Sequence, residues 1–79
     1  MITVETTLQD RDGIIKVSSG KKIYLNEAQV TALLNSDIVT YPEDGGNGYT
    51  TSVKTKLIEK HFSLFDAEPK WEITFQLIE

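Results

Sequence analysis

The chain reads as an α+β domain, mainly β. The expected architecture is a small curved antiparallel sheet in the order β-β-β-α-β-β-β, with one helix packed on it. Three observations predict this class. β-branched and aromatic residues alternate with polar ones in several short runs, the period-2 signature of half-buried strands. One stretch, after Asn26, combines helical spacing with residues that cap a helix start. The length of 79 residues suits a single domain, residues 1–79, with one modest core.

The elements follow in order. Ile2, Val4, Thr6 and Leu8 alternate with Thr3, Glu5, Thr7 and Gln9, a strand with one apolar face. Asp10-Arg11-Asp12-Gly13 is a turn in which Gly13 supplies the positive φ of a tight hairpin. Ile14 to Val17 is read as the returning strand, Ser18 to Lys21 as a turn, and Lys22 to Leu25 as a third strand. Asn26 then caps a helix, Gln29 completes a capping box, and Leu25 with Val30 forms a hydrophobic staple. Val30, Leu33, Leu34 and Ile38 supply the buried stripe. Ile38 to Tyr41 reads as a strand, and Pro42 to Gly48 as a loop with three glycines. From Tyr49 to Leu57 every second residue suits one face. Ile58, Phe62 and Leu64 continue on the other parity, which calls for a bulge or a second helix within 54–65. Trp71, Ile73, Phe75 and Leu77 form the clearest strand, after a turn at Asp66 to Pro69.

Composition narrows function. Without cysteine the chain has no disulfide, thiolate nucleophile or thiolate zinc site. The start lacks the basic and apolar segments of a signal peptide, and no apolar run approaches the roughly 20 residues of a membrane span, so a cytoplasmic location is expected. His61 is the only histidine, and strand neighbours such as Glu59 and Ser63 do not converge on a substrate, so no catalytic residue is assigned. Asp10 and Asp44 each open a faint calcium-loop pattern, but the twelfth positions are Lys21 and Thr55 in place of glutamate. Gly45, Gly46 and Gly48 precede a strand and not a helix, unlike a phosphate cradle. Neither a metal nor a cofactor is expected.

Charge gives the remaining signal. The net charge is −4, and from Ile23 to Val53 there is no Lys or Arg although Glu27, Asp37, Glu43 and Asp44 lie there. The other residues balance, with eight acids against eight bases. Asp37 sits near the helix C-terminus, where the macrodipole disfavours it. The expectation is a non-enzymatic, acidic protein-binding module that inhibits a basic, nucleic-acid-binding partner through Glu27, Asp37, Tyr41, Glu43, Asp44, Asn47 and Tyr49. Direct nucleic-acid binding is disfavoured by the acidic balance.

The order of three strands, a helix and more strands also resembles, in topology alone, a five-stranded oligonucleotide-binding barrel. That resemblance implies the alternative of single-strand binding through Lys54, Lys56, Tyr49 and Trp71. The other aromatic residues are read chiefly as core volume. A further alternative is a dimerisation domain: the last strand carries no charge between Thr74 and Ile78, so at a sheet edge it would pair with a second copy.

Overall fold

The fold is that of a computed structural model, which describes residues 1–44, 48–65 and 68–78. The described residues form β1 (Ile2–Gln9), a 3₁₀ turn at Val17–Ser19, β2 (Lys21–Leu25), α1 (Glu27–Leu34), β3 (Val39–Asp44), β4 (Thr50–Ser63) and β5 (Lys70–Leu77). The fold is mainly β with one helix, as expected.

The strands make one curled sheet in the order β2-β1-β5-β4-β3. All neighbours are antiparallel except β1 and β5, which run parallel with Thr3 opposite Lys70 and Gln9 opposite Gln76. The last strand is therefore central, with its backbone bonded to β1 on one side and β4 on the other. This corrects the expected dimer edge at the C-terminal strand. The uncharged stretch from Thr74 to Ile78 is tolerated because neighbouring strands cover it.

Ile14 to Val17 does not form a strand. Asp10 Oδ1 accepts from the amides of Asp12 at 2.8 Å and Ile14 at 3.0 Å, and Gly13 takes φ 86°, so the turn closes on its own side chain. Only Gln9 and Ile15 bridge, and Ile14, Ile15 and Val17 are exposed. Its three apolar side chains find no cover, and the chain passes directly into the 3₁₀ turn. Two strands thus precede the helix, so the topological resemblance to an oligonucleotide-binding barrel does not hold.

The helix start forms as predicted. Asn26 accepts from the Gln29 amide at 2.8 Å and Gln29 returns the bond to the Asn26 amide at 2.9 Å. The buried stripe ends at Leu34, since Ile38 is 56 % exposed. β3 runs through Pro42 to Asp44, further than expected. Proline, lacking an N–H, is tolerated there because β3 is an edge strand. The parity change in β4 is a bulge, with the register slipping between Leu57 and Glu59, and not a helix.

The core comprises Val4, Leu8, Val30, Tyr41, Ile73 and Phe75, with Leu25, Leu33 and Leu57 among those packed around it. The sheet curls until the Tyr41 hydroxyl, on one edge strand, bonds the Thr6 hydroxyl and donates to the Ser19 carbonyl, each at 2.6 Å. Burial pushes the Tyr41 hydroxyl above the usual tyrosine range, and the Thr6 bond opposes that shift.

Candidate functional site

Strand β4 is longer than either neighbour, and this shapes the surface. β3 pairs only with Thr50 to Thr55, while β5 pairs with Thr55 to Ser63. Among the described residues no strand pairs with the β3-facing edge of Leu57 to Ser63. Seven residues of strand span roughly 23 Å. Ile58 to Phe62 are all exposed, as an uncovered edge requires.

Register places each side chain. Leu57 lies opposite Phe75, Lys60 opposite Ile73 and Phe62 opposite Trp71, so these three point to the core side of the sheet. Glu59, His61 and Ser63 point to the outer side, opposite Thr74, Glu72 and Lys70. The Ile58 bulge causes the switch; without it Lys60 and Phe62 would point outward.

Helix α1 lies on the core side but does not reach over this half of β4. Between them runs an open groove of about 710 Å³, lined by Val30, Thr31 and Leu34 from the helix, by Phe62 and Trp71 from the sheet, and by Pro69 just before β5. Phe62 and Trp71 meet edge to face with ring centres 5.0 Å apart. Phe62 remains 46 % exposed, and beyond it Leu64 and Phe65 stand almost free, Phe65 at 92 %. Met1 and Ile2 reach the same groove. Exposed apolar bulk next to an open groove marks an interaction site more often than an accident of folding.

The acidic residues do not gather beside it. Glu27, in the first turn of α1, lines the groove and is exposed. Asp37 is exposed beyond the other end of the eight-residue helix, about 12 Å away along the axis. Glu43 lies near the far end of β3, roughly 20 Å further along the chain. Its carboxylate pairs with Lys16 Nζ at 3.1 Å, and Lys16 and Lys54 border one hollow with it. The window that lacks bases in sequence is thus interleaved with bases in space. Tyr41 is only 3 % exposed and belongs to the core, which corrects its place among surface contact residues. The Asp44 backbone pairs with Thr50, but its side chain and all of Asn47 lie outside the described residues. Tyr49 is 73 % exposed and lies just before β4, next to the end of that strand far from the groove.

The pairing of bases with aromatics is likewise undone. Lys54 and Lys56 alternate with Val53, Thr55 and Leu57 and so face outward, whereas Trp71 faces the groove. Among the described residues no group of three His, Cys, Asp or Glu side chains could hold a metal. Among the described residues no helix is long and apolar enough to cross a membrane. No protein family, curated protein or solved structure matches the chain.

Sequence reasoning takes Phe62 and Phe65 for core volume, gives Leu64 no role, and names Trp71 only in the single-strand-binding alternative. A signal was present: Phe62-Ser63-Leu64-Phe65 carries more apolar bulk than a strand end needs before the turn expected at Asp66 to Pro69, whose first two residues lie outside the described residues.

Proposed function

We propose that this chain is a non-enzymatic, cytoplasmic protein-binding module that engages its partner through the groove between α1 and the far half of β4. One observation carries the reading: Phe62 stays half-exposed against Trp71, and Leu64 and Phe65, which follow it in the chain, stay exposed too, although a 79-residue domain has little apolar surface to spare. Aromatic residues in a partly formed pocket are typical anchors of protein interfaces.

The version in which a negative surface inhibits a basic, nucleic-acid-binding protein keeps Glu27 and Asp37 as exposed carboxylates. It loses support from the spread of charge and from the Lys16–Glu43 pair. The apolar surface is the better-supported contact.

Affinity capture from lysate of the source cells, with and without nuclease, tests the choice. A partner held by the native chain is expected to be lost by the folded double variant Leu64→Ser, Phe65→Ser and kept by Asp37→Lys, Glu43→Lys. Loss from the second variant alone would return the contact to the acidic residues. Capture that nuclease abolishes would favour nucleic acid.

A further inference from the structure

Resting on the groove as a protein-binding surface, we propose that its occupant is an extended, acid-bearing segment of another protein. The segment adds as an antiparallel strand to the free edge of β4 at Leu57–Ser63. It places an apolar side chain against Phe62 and a carboxylate against Lys60.

Three observations converge. The first is the edge itself, seven residues whose outward backbone groups meet no described strand. An uncovered edge beside a helix-flanked groove is the geometry in which an extended peptide gains ladder bonds from its backbone and selectivity from alternate side chains. The second is the side-chain series on the groove side, Leu57, Lys60 and Phe62, one cation between two apolar residues. An inward-pointing lysine on an edge discourages indiscriminate pairing. It also asks a genuine partner for a carboxylate at the opposing position, since opposite charges across a strand pair stabilise and like charges repel.

The third observation favours a heterologous strand over a second copy of this chain at the middle of the edge. Residues directly opposite in an antiparallel pair share a face, so a two-fold pairing must be centred on a residue. Centring on Glu59 sets Glu59 against Glu59. Centring on Lys60 sets Lys60 against Lys60. Centring on His61 drives both Lys60 side chains onto Phe62. The first two registers oppose like charges and the third gives Lys60 a ring in place of a carboxylate, whereas a heterologous acid-bearing strand meets Lys60 with the opposite charge.

The probe is a blocked peptide, Thr-Phe-Thr-Glu-Thr-Val-Thr, compared with the same peptide carrying Lys for Glu. Binding is followed by backbone amide shifts and by the fluorescence of Trp71, the only tryptophan. The Glu peptide is expected to shift the amides of Leu57 to Ser63 and to bind about tenfold more tightly than the Lys peptide, the size expected when an attractive cross-strand pair becomes repulsive. Lys60→Glu should invert that preference and Lys60→Gln should erase it. Lys56→Glu, whose side chain faces outward, should leave the preference in place. Equal binding of the two peptides, or an inversion produced as well by Lys56→Glu, overturns the proposal. A response of Trp71 with unmoved 57–63 amides overturns strand addition and leaves the groove as a binding surface. Silence at both sites overturns both readings. A concentration-dependent dimer with protected 57–63 amides would make the occupant a second copy and overturn the heterologous strand.

Discussion

Tyr41 shows how one side chain can be drawn out of a functional role by the fold. Its ring packs 5.3 Å from that of Phe75, and its hydroxyl ties β3 to β1 and to the turn before β2. Because the folded hydroxyl titrates above 10.0, the ordinary value, the unfolded chain loses its proton first as pH rises. The native state then binds more protons than the unfolded one. The associated stability is intact below about pH 10 and declines as pH climbs through the raised folded value. Chemical denaturation across pH 8 to 11 should show this alkaline decline, and Tyr41→Phe should flatten it. The same substitution should cost about 1–2 kcal/mol at pH 7, the usual penalty for disturbing a buried hydrogen-bonded network. An alkaline slope unchanged in Tyr41→Phe would assign the decline to another group.

At the level of elements, α1 and β4 behave oppositely. The helix has eight residues, too few to persist alone in water, and depends on its cap and on tertiary contacts. Asn26→Ala removes the acceptor for the Gln29 amide and unlatches the reciprocal bond. It should destabilise the domain by about 1 kcal/mol in urea titration, while Asn26→Asp, which keeps the acceptor, should stay near native. Equal losses in both variants would show that the box contributes little. Strand β4, by contrast, outruns its neighbours. Its near half pairs with β3 and its far half with β5, and the Ile58 bulge turns Phe62 toward the groove between them. The bulge thus decides which side chains of the far half face the groove.

On the scale of the whole molecule, the parallel pairing of β1 with β5 joins the two ends of the described chain, with Thr3 opposite Lys70 and Val4 opposite Trp71. Such distant contacts must close large loops before they are rewarded, which slows folding. Stopped-flow refolding monitored by Trp71 should fall in the millisecond-to-second range typical of topologies rich in non-local pairs. Relaxation within tens of microseconds would contradict a transition state that needs the β1–β5 pair. The molecule measures 34 × 25 × 20 Å, several Debye lengths at physiological salt (each about 8 Å), so carboxylates dispersed over it do not act as one patch.

Sequence alone determined what depends on near neighbours. The capping box, the alternation of Ile2 to Leu8 and of Trp71 to Leu77, and the parity break near Ile58 are all written within a few adjacent residues, whose chemistry acts over the same distance. The dominance of strand and the single helix follow from them. The tertiary structure alone decided which strands are neighbours, which edges stay open, and where charge collects, because these depend on contacts between residues far apart in the chain. Hence β5, unguarded in its letters, is sheltered at the centre. Lys16 meets Glu43 across 27 positions, which no local pattern announces. The free edge of β4 arises from the unequal reach of three strands, a property of their arrangement and not of any one of them.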